Sequence, residues 1–227
     1  MKIAVNLLNG EPEIFKSIQG EGRNCGKKCV FLRLKGCNLH CSWCDTRDSW
    51  DTEDVLNEGV CYKTTQEIVS IIKQYKTKHL VITGGEPLLQ QRALQELVKL
   101  LPGYYIEVET NGTIIPTIRV NQFNVSPKLG NSDNKDNRIN PAALKRFVEI
   151  PYSDFKFVIK DAKDITEVDN FSHLYQVDKR RIFLMPLGKT MRELRKREGI
   201  VERLAQSQGY CYTSRLHIKL FGEKRGV

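Results

Sequence analysis

Seven short runs rich in β-branched and aromatic residues punctuate this chain: "CVFLRL" (29–34), "HLVITGG" (79–85), "YYIEVET" (104–110), "QFNVSP" (122–127), "DFKFVIK" (154–160), "RIFLMP" (181–186) and "RLHIKLFG" (215–222). Each is bounded by Gly, Pro, Asn or other polar residues, as buried strands are. Helical patterns lie between several of them. "TTQEIVSIIKQY" opens with a capping-box pair, Thr64 and Glu67, and places Ile68, Ile71, Ile72 and Tyr75 on one face. "RALQELVKLL" does the same with Leu94, Leu97, Val98 and Leu101. Residues 190–206 form a basic amphipathic pattern with Leu194, Val201 and Leu204 inward and a charged, solvated outer face. Strand–helix alternation builds a parallel sheet. A closed eightfold barrel takes ~250 residues. With 227 residues and about six such strands, the expected fold is α/β: an incomplete, open parallel β/α barrel, one domain over 1–227.

Active sites of parallel sheets lie beyond the C-terminal ends of the strands, and the unusual motifs sit there. After the first run comes "GCNLHCSWCDT" (36–46), with Cys37, Cys41 and Cys44 inside eight residues. Four more cysteines, Cys25, Cys29, Cys61 and Cys211, make the total seven. The opening "MKIAVNLLNGEPEIF" has no signal-peptide apolar region or cleavage site. An odd count without an export signal points to free thiols or metal ligands in a cytoplasmic protein. No apolar run approaches the ~18 residues that span a bilayer. Thiolates suit zinc and iron–sulfur clusters. A structural zinc site needs a fourth ligand; His40, Cys61, Cys25 and Cys29 are candidates, but none completes a Cys-x2-Cys pair of pairs. A [4Fe–4S] cluster on three cysteines would keep one iron open to a small molecule.

In "ITGGEP" (82–87), two glycines permit close ligand approach, Glu86 can accept from an ammonium group, and Pro87 fixes the turn. A plain strand-to-helix turn accounts for the glycines equally well. "ETNG" (109–112) and "SPK" (126–128) set hydroxyl and amide groups at the ends of the next two strands, and 129–140 reads as a flexible loop on the same rim. "SIQGEGRNCGKKCVFLRLKGC" (17–37) gathers Gln19, Glu21 and Arg33 around a Gly-rich turn. A hairpin explains the glycines but not the three polar side chains. Arg presents a fork for a carboxylate; Gln and Glu can read the edge of an aminopyrimidinone ring. Packing is the simplest account of nearby Cys25 and Cys29.

Cys-x3-Cys-x2-Cys with Trp43 before the last cysteine resembles the radical S-adenosylmethionine (SAM) superfamily. The resemblance implies that superfamily's open barrel, with the amine and carboxylate of SAM on the open iron. It also implies one electron from the cluster, SAM cleavage, and a 5′-deoxyadenosyl radical that abstracts hydrogen from the substrate. Carried over by motif, Gly84, Gly85 and Glu86 hold the SAM amino group. Thr110, Asn111, Ser126, Pro127 and Lys128 line its ribose and carboxylate region, and Met185 and Pro186 close over adenine.

The order QGEG, Arg33, cysteine loop, GGEP, ETNG, SPK and "LHIKLFGEKRGV" spans nearly the whole chain. It resembles the 7-carboxy-7-deazaguanine synthase family. That resemblance implies ring contraction of 6-carboxy-5,6,7,8-tetrahydropterin with release of ammonia, on the route to queuosine and related 7-deazapurines. SAM is regenerated, Mg²⁺ assists, and a homodimer is expected. Cys37, Cys41 and Cys44 would bind the cluster and Thr46 would bind Mg²⁺, which commonly keeps waters and takes substrate ligands. Ile18, Gln19, Gly20, Glu21 and Arg33 would hold the substrate, with Thr83 nearby. His217, placed on a last strand, ranks below Arg33 because a lone strand His is more often a packing residue. The cluster loop is the short form. Members can end in a substrate-touching proline where this chain has "KRGV", so Val227 is not carried over.

The net charge is +9, from 36 basic and 27 acidic residues. No nucleic-acid motif accompanies it, so a docking face for an acidic electron donor such as flavodoxin is the preferred reading. Two rivals stand beside the synthase. A glycyl-radical-enzyme activase shares the cysteine spacing but needs a groove for a partner loop. A zinc-stabilised basic nucleic-acid-binding module explains cysteines and charge but not GGEP at a strand end.

Overall fold

A computed structural model describes residues 1–50, 60–135 and 137–227. The elements run β1 (Lys2–Val5), β2 (Leu7–Leu8), β3 (Glu11–Pro12), β4 (Ile14–Ile18), β5 (Lys28–Leu34), β6 (Cys61–Thr64), α1 (Thr65–Lys73), β7 (His79–Gly84), α2 (Gln91–Lys99), β8 (Tyr105–Thr110), β9 (Gln122–Val125), α3 (Pro141–Glu149), β10 (Ser153–Ile159), α4 (Ile165–Tyr175), β11 (Ile182–Pro186), α5 (Met191–Gln208), β12 (Cys211–Tyr212) and α6 (Leu216–Phe221).

Ten strands form one sheet in the order β12-β11-β10-β9-β8-β7-β5-β1-β6, with β4 also on β5. From β5 to β12 every neighbour is parallel, the result expected when helical crossovers join successive strands. β1, β4 and β6 pair antiparallel at the other end. Among the described residues, β12 pairs with β11 alone. The sheet is therefore an open partial barrel, as the length argued.

Alternation along the strands divides the two faces. Ile106, Val108, Phe123, Val125, Phe155, Phe157 and Ile159 pack into the core shared with Leu94, Leu97, Phe147, Val168 and Phe171 of the helices. The intervening Glu107, Glu109, Asn124, Asp154 and Lys156 point the other way, into the barrel, where they bond one another or the 19–27 turn. The capping box of α1 is present at Thr64 and Glu67, and a second opens α5 at Thr190 and Glu193.

Two expectations are corrected. Residues 215–222 are not a strand. The last strand is the two-residue β12, and Leu216–Phe221 form α6, closed by Gly222 at a positive φ (65°). The alternating Leu216, Ile218 and Leu220 read as period two, yet only Ile218 is buried while Leu220 is 59% exposed. Tertiary docking, not the apolar pattern, decides that segment. Within the 129–140 segment, residues 130–134 are also not a free loop. Gly130–Ser132 form a 3₁₀ turn, and Ser132 and Asn131 accept from the cysteine loop through Ser42 N–H (3.0 Å) and Trp43 Nε1 (2.9 Å). Residue 136 of that segment lies outside the described residues.

Candidate active site

The open end of the barrel holds one large cavity of about 420 Å³. Its wall includes Cys37, Cys41, Cys44 and Thr46 from the loop after β5, and Ile18, Gln19 and Glu21 from the turn after β4. Arg33, Thr83, Gly84, Gly85, Thr110, Asn111, Ser126, Lys128, Met185, Pro186 and His217 complete the set that sequence reasoning nominated. Gly20, Glu86 and Pro127 do not line it.

Glu86 lies behind the wall, fully buried. Its oxygens accept from Leu88 N–H (2.9 Å), Thr110 Oγ1 (2.7 Å) and Asn111 N–H (2.6 Å). Burial pushes its carboxyl up, against those hydrogen bonds. It therefore shapes the 110–111 corner, and the expected direct contact with an ammonium group has no counterpart in its placement. The two glycines before it also have a backbone role. Gly84 has φ +128°, and a Cβ there would overlap Leu34. A Cβ on Gly85 would overlap the Gly36 carbonyl. Gly85 N–H donates to Leu34 O (3.1 Å) and Glu86 N–H to Gly36 O (2.8 Å). The Gly-Gly pair lets the β7 turn grip the root of the cysteine loop.

The three thiols face the cavity from that loop, and each has a hydrogen-bond partner: Leu39 N–H to Cys37 Sγ (3.5 Å), Asn134 Nδ2 to Cys41 Sγ (3.2 Å), and the Cys44 Sγ–Thr46 Oγ1 pair (3.8 Å). Burial pushes the Cys37 thiol up to about 11 and raises Cys41. Among the described residues, no three His, Cys, Asp or Glu side chains close on a single ion. Three soft donors along one wall, with N–H groups aimed at sulfur, fit a thiolate-held cluster, whose sulfurs take such bonds. Lys128 is half-buried close by, its Nζ donating to Ser126 O (2.7 Å) and Oγ (2.9 Å) and standing 5.8 Å over the Trp43 ring. Burial lowers its ammonium pKa. Asn111 Nδ2 donates to Asn38 Oδ1 (2.9 Å), tying ETNG to the cysteine loop.

The other half of the cavity is charged and polar. Gln19 Nε2 donates to Glu109 Oε1 (3.1 Å), and Thr83 Oγ1 to Glu109 Oε2 (2.7 Å). Below them Glu107, fully buried, accepts from Asn24 Nδ2 (2.8 Å) and Asn124 Nδ2 (2.7 Å) and pairs with His79. Glu21 accepts from Lys156 Nζ and from Arg215 Nε (3.0 Å). Burial would raise the Glu21 carboxyl; Lys156 and Arg215 outweigh it and hold the group well below the ordinary range. His217 sits against Gly20, and burial pushes its imidazole down against the pull of Glu21. Arg33 is committed on one side, donating through Nε to Glu13 Oε1 (2.9 Å).

Glu109, Asn124, Lys156 and Arg215 line the site and were not read from the sequence. A signal existed for three of them: acidic, amide and basic residues alternate inside apolar strands "YIEVET", "QFNV" and "DFKFVI", the pattern of a polar barrel interior. Arg215 had none, because its partners lie 27 to 194 positions away along the chain.

Residues 18–125 match a family model described as a 4Fe-4S single cluster domain. Relatives named 7-carboxy-7-deazaguanine synthase include one from Pyrobaculum aerophilum, 38% identical over 94% of this chain and 95% of its own length. Another, from Rhodopirellula baltica, is 32% identical over 95% of this chain and 87% of its own. A crystal structure of QueE from Escherichia coli matches with a TM-score of 0.75 at 25% identity, covering 96% of this chain and 95% of that one.

Proposed function

This chain belongs to the 7-carboxy-7-deazaguanine synthase family, and from that premise we propose how its cavity is divided for the radical SAM ring contraction of deazapurine biosynthesis. The substrate is 6-carboxy-5,6,7,8-tetrahydropterin and the product 7-carboxy-7-deazaguanine, with loss of ammonia. The carrying observation is that one cavity is walled on one side by Cys37, Cys41 and Cys44 and on the other by Gln19, Glu21 and Arg33. The near full-length likeness to named synthases favours this reading over an activase or a zinc module.

When bound, the iron–sulfur cluster and SAM supply the one-electron chemistry that begins hydrogen abstraction. Cys37, Cys41 and Cys44 hold the cluster. Gly84, Gly85, Thr110, Asn111, Ser126 and Lys128 hold SAM, with Met185 and Pro186 against adenine; Glu86 acts by bracing Thr110 and Asn111, and Pro127 by setting the strand end. Arg33 keeps two guanidinium nitrogens beyond its bond to Glu13, a fork for the pterin carboxylate. Gln19, Thr83 and Glu109 form a linked donor–acceptor edge for the ring amide and amine. Glu21 stays ionised beside Lys156, and neutral His217 packs over Gly20. Ile18 closes the apolar side. Thr46, at the rim of the cavity, would hold Mg²⁺ through its hydroxyl, an ion that commonly keeps several waters and takes few protein ligands. The whole of 1–227 acts as one domain, as a cytoplasmic homodimer reduced by an acidic flavodoxin-type donor. No described helix is long and apolar enough to cross a membrane.

The test is anaerobic reconstitution followed by incubation with the pterin, SAM, Mg²⁺ and reductant, with product detected by mass spectrometry. Wild type is expected to make 7-carboxy-7-deazaguanine, and Cys41→Ala neither product nor brown cluster absorbance. A brown, SAM-cleaving protein without product would overturn the substrate, and a colourless zinc-retaining protein the whole reading. Omitting Mg²⁺ is expected to lower turnover severalfold; an unchanged rate would remove Thr46 from the metal role.

A further inference from the structure

Arg215 stands where three segments of the cavity wall meet. Its side chain is only 10% exposed. Nε donates to Glu21 Oε1 on the 19–27 turn (3.0 Å), Nη1 to the Gly188 carbonyl after β11 (2.7 Å), and Nη2 to Asp45 Oδ2 in the cysteine loop. All three guanidinium nitrogens are therefore engaged, each on a different segment. The adjacent backbone makes the same junction: Leu216 N–H donates to Gly20 O (2.9 Å), and the His217 ring packs on Gly20. Asp45 directly follows Cys44 and precedes Thr46. Glu21 is fixed on its other oxygen by Lys156.

A planar fork held by two carboxylates and a carbonyl has little freedom to reorient. Any displacement of the cysteine loop at Asp45 thus reaches Glu21 through one rigid group. We propose that Arg215 is a positioning residue that couples the cysteine loop to the pterin pocket, so that the arrangement of the cofactor side sets the affinity of the substrate side. This rests on the functional reading above. It differs from a plain scaffold role in placing the effect of an Asp45 change on pterin affinity with the fold intact, and in having that effect vanish once Arg215 is replaced.

The experiment measures pterin dissociation constants by anaerobic equilibrium dialysis on the SAM-loaded enzyme without reductant. Wild type, Asp45→Asn, Arg215→Lys, Arg215→Gln and the Arg215→Gln/Asp45→Asn double variant are compared, with folding checked by circular dichroism. Asp45→Asn is expected to weaken pterin binding about fivefold and Arg215→Gln about tenfold or more. The double variant is expected to be no weaker than Arg215→Gln alone. Arg215→Lys, which keeps charge but not the fork, should fall between wild type and Arg215→Gln, and serves as the informative variant if Arg215→Gln does not fold. If Asp45→Asn leaves the constant unchanged, or the two losses multiply, the coupling is refuted while the substrate reading stands. A wild-type protein that binds no pterin would overturn both.

Discussion

At Gly85 a single methyl group would meet the carbonyl of Gly36, and neither backbone can yield without moving the first turn of the cysteine loop. Gly85→Ala is therefore expected to cost on the order of 3 kcal/mol, a fall in melting temperature of about 6–12 °C, and to reduce iron retention after reconstitution. A variant with wild-type stability would show that the close approach is unimportant. The Gly-Gly pair was visible in the sequence, but its purpose was not, because the atoms it avoids belong to a different strand. Glu21 makes a pH prediction. Its folded carboxyl lies below its ordinary 4.5 because Lys156 and Arg215 overcome the effect of burial. The unfolded chain takes up this proton first as pH falls, so the stabilisation is present above about pH 4.5 and lost below it. Urea unfolding between about pH 5 and 3 should show a shallower loss of stability for Glu21→Gln than for wild type; parallel curves would contradict the assignment.

Among the elements, α6 determines more of the site than its six residues suggest. Its N-terminal end delivers Arg215 to Glu21 and lays His217 over Gly20. Gly20→Ala would drive a Cβ into the imidazole ring, so KM for the pterin is expected to rise about tenfold with kcat changed less than threefold and SAM affinity unaltered. Equal losses in SAM and pterin binding would point instead to general disruption. The apolar alternation of residues 216–220 misread this segment, although Gly222 just beyond it was an available helix stop signal. The central strands were legible in place and extent. What the sequence pattern also contained, and the strand reading passed over, was the interruption of apolar runs by Glu107, Glu109, Asn124 and Lys156.

For the whole molecule, the surplus of nine positive charges has a role if an acidic protein delivers the electron. Turnover supported by flavodoxin is then expected to drop roughly threefold or more between about 0.05 and 0.3 M salt, while turnover driven by a small chemical reductant stays level. Equal salt responses would exclude electrostatic docking. The sheet is open among the described residues: it holds seven parallel strands from β5 to β12 and three antiparallel ones, and β12 does not pair back to the N-terminal strands.

Local chemistry was enough to locate the cysteine loop, the strand ends that carry GGEP, ETNG and SPK, and the strand–helix alternation; the division of the site into two flanks came from the family resemblance. The local features depend on neighbours close in sequence: turn glycines, capping pairs, periodicity and ligand spacing. The tertiary structure alone decided that Glu86 braces the wall instead of facing the cavity, that Gly84 and Gly85 admit a backbone, and that residues 131–134 clasp the cysteine loop. It alone joined Glu21 to Lys156 and Arg215, and Arg215 to Asp45, residues separated by as many as 194 positions. Such contacts are fixed by where the sheet brings distant segments together, and no local pattern along the chain encodes which carboxylate a buried guanidinium will meet.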